Sequence, residues 1–186
     1  MTRIEPTRRR LLMAASGVTS LCAFPLVAKA ITLGNHAERD LSMDHTHTLE
    51  KIQLTYAVGS RYLPEALTGL DHFLRDHYSG LVGRMDPGLY DIMYALRASL
   101  KVRSPYQIIS GYRSPKTNER LRAKGGGGVA KHSLHMDGKA VDLRIPGVPL
   151  KELRDAALDL KAGGVGYYPG SDFVHVDTGR VRSWKG

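Results

Sequence analysis

The spacing of apolar residues along this chain changes several times, and each change predicts an element. Residues 39–47 and 49–58 read as two strands; in the second, Ile52, Leu54, Tyr56 and Val58 alternate with polar neighbours and share one face. From Leu63 the spacing lengthens. Leu63, Leu67, Leu70 and Leu74, with Ala66 and Phe73, make one stripe at helical spacing over residues 63–77, and Pro64 suits its first turn. Leu89, Ile92, Met93, Leu96 and Leu100 repeat that pattern behind Asp86-Pro87, a cap followed by a first-turn proline. Both stripes read as core. Gln107 to Tyr112 predicts a short strand ending at Arg113, and Ser114-Pro115 opens a small helix. Alternation returns at Lys139, with Val141, Leu143 and Ile145 on one face and Ala140, Asp142 and Arg144 on the other. A last helix is predicted over residues 149–162 from Leu150, Leu153, Ala157 and Leu160, stopped by Gly163-Gly164. Two closing strands follow near residues 165–168 and 173–177. At 186 residues, without internal repeats, the chain has room for one α+β domain.

Polar residues placed on these strands carry the candidate chemistry. Ser133-x-His135-x-x-Gly138-x-Ala140-x-Asp142 puts an imidazole and a carboxylate seven residues apart, so both can reach one metal ion only if the chain folds back between them. Gly138 lets the backbone bend there. Phe173-Val-His175-Val-Asp177 offers a third ligand on another strand. Two His and one Asp would leave a fourth zinc position open, the layout of a catalytic site. A hydrogen-bonded structural cluster is the competing reading of the same residues. His132, three residues before His135, competes with it as a ligand, and Arg113 falls at a strand-to-helix corner where site residues are common. His45 and His47 share a strand face without a matching carboxylate, so they read as hydrogen-bonded histidines at a strand end. His77 suits the dipole at a helix end. Gly125 to Gly128 lack phosphate-loop context and read as a lip beside the site.

The order SxHxxGxAxD then DxxH resembles the zinc D-Ala-D-Ala carboxypeptidase family, within the larger group that includes lysostaphin-type enzymes and hedgehog domains. SGYRSP (Ser110 to Pro115), GGVAKHSLHMDGKAVDLR (Gly127 to Arg144) and HVDTGRVRSW (His175 to Trp184) extend the likeness over residues 39–184, nearest to the family's murein endopeptidases. The resemblance implies a small, mainly antiparallel sheet that carries the site, with helices around it. It implies one zinc per chain on His135, Asp142 and His175, with Asp172, three residues before the last His, as general base. Strict alternation would put Asp172 on the face opposite His175 unless the strand starts after it or twists there, which Gly170 and Ser171 allow; Asp177 shares the His175 face and is the competing base, read first as support for a ligand. Arg113 is then the group that holds the substrate carbonyl, a surface salt bridge being its alternative, with Ser133 and His132 as substrate contacts; Tyr112 and Trp184 read equally as groove-lining substrate contacts or as aromatic core packing. The implied reaction is hydrolysis of peptidoglycan cross-links. Trimming of terminal D-alanine uses the same residues, and a zinc-stabilised wall-binding module without turnover is the non-enzymatic alternative.

Composition adds the compartment. Thr7-Arg8-Arg9-Arg10-Leu11-Leu12 is a twin-arginine export signature, and Ala28-Lys29-Ala30 fits a cleavage site. Residues 1–30 therefore read as a signal handled by the twin-arginine machinery, 31–38 as a flexible leader and 39–186 as the metallopeptidase domain, a monomer in the periplasm. Cys22, the one cysteine, lies in the signal, so a thiol nucleophile and a disulfide are excluded from the mature chain. The formal charge of +9 falls to +5 without residues 1–30, an excess that favours an acidic polymer such as the cell wall and supports no nucleic-acid partner.

Overall fold

The strand that carries Asp142 lies near the middle of an eight-stranded sheet. The computed structural model describes residues 37–124 and 129–186; the predicted signal, most of the leader and the glycine run Gly125–Gly128 lie outside the described residues. The strands are β1 (Glu38–His45), β2 (Lys51–Val58), β3 (Arg61–Tyr62), β4 (Tyr106–Ser110), β5 (Ala140–Arg144), β6 (Gly164–Tyr168), β7 (Phe173–Asp177) and β8 (Arg182–Lys185). The helices are α1 (Pro64–Phe73), α2 (Pro87–Ser99), α3 (Pro115–Ala123) and α4 (Leu150–Asp159), with a 3₁₀ turn at Leu134–Asp137. Strand order across the sheet is β3-β2-β1-β4-β5-β7-β6-β8.

This corrects the expected sheet. It is not small but eight-stranded, and it is mixed, because β1 runs parallel to β4 and β6 parallel to β8 among otherwise antiparallel neighbours. Parallel neighbours need a crossover. The first crossover carries β2, β3, α1 and α2, and the second carries β7. Alternation tells which residues form strands; it does not tell which strands become neighbours.

One face of the sheet is covered and the other carries chemistry. Leu70, Phe73 and Leu74 of the first stripe and Leu89, Met93 and Leu96 of the second are buried against Val141, Leu143, Val174 and Val176. Each such side chain contributes about 1.5–3 kcal/mol on leaving water. Asp142 therefore points away from this core on the opposite side of β5, as the alternation requires.

Helix α1 ends at Phe73, four residues earlier than its apolar stripe suggests. Asp76 is the reason. Its carboxylate accepts from Tyr78 N at 2.9 Å and from Ser114 N at 3.0 Å, holding the chain in a turn and tying it to the start of α3. The predicted strand at 107–112 likewise stops at Ser110. Tyr112 N donates to Leu74 O at 2.7 Å, and a Cβ at Gly111 would come 2.4 Å from that same oxygen, so only glycine allows the approach.

Burial opposes the charge on Asp76, but hydrogen bonds from Ser114, Thr117 and Ser79 outweigh it and hold its carboxyl well below the usual range. A depressed folded value stabilises the protein above the unfolded pKa of about 3.9, and the contribution is lost as pH falls from there toward the folded value. Asp76→Ala should therefore cost about 2–3 kcal/mol at neutral pH, the scale of hydrogen bonds to a buried charge. Denaturant melts should show a shallower loss of stability below pH 4 in the variant than in the wild type.

Candidate metal centre

Three side chains converge on the face of β5 and β7 opposite the hydrophobic core. His135 arrives on the 3₁₀ turn, which folds back onto β5 through Gly138 at φ 67°. No side chain fits there: a Cβ at Gly138 would sit 2.0 Å from Arg84 O. Asp142 lies in β5 directly opposite His175 in β7. His135 Nε2 is 3.2 Å from Asp142 Oδ1 and 3.2 Å from His175 Nδ1, and the last two atoms are 2.9 Å apart. All three residues are buried.

Their other polar atoms are already committed. His135 Nδ1 lies 2.7 Å from Gly111 O, an acceptor only, so that nitrogen carries the proton. His175 Nε2 lies 3.0 Å from Asp177 Oδ2, which fixes its proton in the same way. Two bare nitrogen lone pairs and a carboxylate oxygen thus face one another. They repel unless a cation lies among them. Burial lowers the His135 pKa, leaving that ring neutral, while the two histidines hold Asp142 ionised against the opposing effect of its burial. Burial also opposes a charge on His175, but Asp142 and Asp177 outweigh it, so the site attracts positive charge. A tetrahedral site with bonds of about 2.0–2.2 Å places its ligand atoms roughly 3.3–3.6 Å apart. The donor set and its spacing fit a divalent metal such as zinc, with one position left for a non-protein ligand. Among the described residues this is the one group with metal-binding spacing.

A cavity of about 460 Å³ opens over the centre, lined in part by Arg113, His132 and Ser133. Arg113 Nη2 donates to Ser110 Oγ at 3.2 Å and lies 3.4 Å from Asp142 Oδ2. Its Nε is buried without a partner among the described residues. Its backbone N donates to His135 O at 3.1 Å, tying the strand-to-helix corner to the turn that carries His135.

Residues 34–184 match a family model described as peptidoglycan L,D-endopeptidase MepK. The chain belongs to this family. A peptidoglycan L,D-endopeptidase MepK of Escherichia coli strain K12 is 44% identical over 184 residues, covering 99% of this chain and 100% of the relative. A probable peptidoglycan L,D-endopeptidase MepK of Haemophilus influenzae is 36% identical over 187 residues, the full length of both. No solved structure matches. Membership of this peptidase family implies a metal, and the cluster above is where the chain can hold one.

The remaining expected site residues of this MepK-family chain fall in different places. Tyr112 does not reach the cavity. Its ring packs on Gly83, where a Cβ would come 2.2 Å from it, and it lies against the core cluster. Asp172 is exposed, with its Oδ2 2.6 Å from Arg144 Nη1. Its backbone is left-handed at φ 54° and β7 begins only at Phe173, so strand alternation does not extend to it. Its neighbours Ser171 and Phe173 line the cavity, and Arg144 shares a face of β5 with Asp142. Asp177 is wholly enclosed. Besides His175, it accepts from Gly164 N at 3.0 Å, Gly179 N at 2.8 Å and both terminal nitrogens of Arg182 at 2.9 and 2.7 Å. No lone pair is left for a substrate proton. His45, His47 and His77 gather elsewhere: the His47 and His77 rings stack at 4.1 Å, and His45 Nδ1 accepts from His47 N at 3.2 Å. That is the hydrogen-bonded strand end expected of His45 and His47.

Sequence reading missed Arg182. It sits five residues beyond Asp177 with no periodic link to it, and only the turn between β7 and β8 brings its fork onto the carboxylate. Gly164 makes the room, since a Cβ there would lie 2.2 Å from Arg182 Nη1 and 2.4 Å from Asp177 Oδ2. Arg182→Ala should weaken metal binding by up to about tenfold, the low end of the effect of losing a group that orients a ligand, because Arg182 acts one step back, through Asp177. Competition with a chelating dye would read it.

Proposed function

We propose that this chain is a zinc-dependent peptidoglycan endopeptidase that hydrolyses peptide cross-links of murein, at the L,D bond named for its relatives. The observation that carries the reading is the buried His135–Asp142–His175 group, with each imidazole oriented from behind and a cavity open in front. One zinc per chain, held by those three residues, would supply Lewis-acid polarisation of the scissile carbonyl and a water of lowered pKa. Arg113 offers its guanidinium to the developing oxyanion from a site already beside Asp142. Asp172 is the proposed proton carrier, accepting at its carboxylate from the attacking water and passing the proton to the leaving amine. To do so it leaves Arg144, which lies on the site face of β5. Ser133 and His132 bind substrate at the rim, and Asp177 holds His175.

A carboxypeptidase would need a spare cation for the substrate's terminal carboxylate. Of the two arginines that line the cavity, Arg113 is assigned to the oxyanion and Arg182 is paired with Asp177, which favours an endopeptidase. In this reading residues 1–30 direct export by the twin-arginine machinery, 31–38 form a leader, and 39–186 act as a monomeric domain in the periplasm. Digestion of purified cross-linked muropeptides by the zinc-loaded protein, with products identified by mass, tests the function. New amino groups at the cross-link are expected; if none appears, the peptidase reading fails.

A further inference from the structure

Three aromatic side chains beside the metal centre stand apart from the core. Tyr168 closes β6, Phe173 opens β7 and Trp184 lies in β8; each is half-buried, and none joins the hydrophobic cluster. All three line the metal-site cavity. They are also fixed in place. Tyr168 and Phe173 stack at 4.5 Å, and Trp184 Nε1 donates to Tyr168 Oη at 2.8 Å. The indole lies 5.1 Å from the His175 ring, and the Arg182 guanidinium stands over it at 4.9 Å. Gly166 is its partner in the parallel β6–β8 register, where a Cβ would come 2.6 Å from the ring. Small residues and polar anchors thus hold an aromatic surface rigid next to a metal ligand. A preordered wall loses little freedom on binding, and an apolar surface in a site cavity gains when a ligand covers it.

Charge narrows what that ligand surface is. Among the side chains that line the cavity the one carboxylate is Asp142, and the three rings themselves offer no charge. Arg182 already supplies a cation to the indole. An uncharged chain of methylenes fits this wall. In murein the cross-link runs through the side-chain arm of a diamino acid, which sets an aliphatic stretch a few atoms from the scissile bond. Resting on the endopeptidase reading, we propose that Trp184, with Tyr168 and Phe173, forms a specificity wall that packs against the aliphatic arm of the cross-linking diamino acid. Arg182 is then a positioning residue twice over, holding Asp177 with its fork and the indole with its face.

Trp184 is the one tryptophan in the chain, so its emission reports on this wall alone. The test uses the zinc-loaded protein, a natural cross-linked muropeptide, and synthetic analogues whose bridging arm is one or two methylenes shorter. Wild type should lose about tenfold in kcat/KM per methylene removed, the scale on which apolar pockets discriminate. Trp184→Ala should lose about 10–100-fold on the natural substrate, mainly in KM, with bound zinc and Tm unchanged, and should no longer distinguish arm lengths. Trp184→Phe should keep most of the discrimination. Equal rates for all arm lengths in wild type would overturn the proposal. So would a Trp184→Ala defect that appears as lost zinc, because the ring would then be packing for His175. If Trp184→Ala does not fold, wild-type emission decides: a saturable change with the natural arm, weaker with shortened arms, supports the wall, and no change overturns it. Failure of wild type to cleave any cross-link would instead sink the endopeptidase reading.

Discussion

Asp142→Ala is expected to lose bound zinc and murein hydrolysis together. The carboxylate is one of three converging side chains that can hold a metal, and its removal leaves His135 Nε2 and His175 Nδ1 facing each other at 3.2 Å with nothing anionic beside them. No neighbouring acid can substitute, because Asp177 is saturated by five donors on the far side of His175. Metal analysis of the purified variant should find far less than one zinc per chain, and digestion of muropeptides should fall to background. Circular dichroism should stay native, since the hydrophobic core lies on the opposite face of β5. A variant that keeps stoichiometric zinc would show that the ion sits elsewhere.

Asp172→Ala is expected to keep zinc and fold while losing about 10²–10⁴-fold in turnover, the scale of a positioned proton carrier. The competing account is purely structural. An exposed Asp172–Arg144 pair at 2.6 Å is worth no more than about 1 kcal/mol, and its loss would leave catalysis alone. These outcomes lie at least two orders of magnitude apart, so one steady-state comparison at equal zinc content separates them. Unchanged turnover would remove Asp172 from the mechanism.

Sequence pattern located six of the eight strands and the four helices to within a few residues, because burying one face is a local demand that each segment records by itself; the short edge strands β3 and β8 were not anticipated. The stripe of α2 and the alternation of β5 are the clearest cases, and the latter already placed Asp142 away from the core. The convergence of His135, Asp142 and His175 was legible for a related reason: residue type and spacing state which atoms can donate, and Gly138 states where the chain must turn. Other features exist only between segments. The parallel pairing of β1 with β4 follows from crossovers that no strand's own pattern encodes. Asp76 ends α1 by bonding Ser114, which is distant in sequence. Tyr112 leaves the groove because Gly83 offers its ring a closer surface. Asp172 escapes the alternation argument because its left-handed backbone starts the strand one residue later. The clamp of Arg182 on Asp177, and the aromatic wall it supports, required β8 to pair beside β6. Local pattern determined what each segment buries and which atoms it can offer; only tertiary contact decided which of those atoms meet.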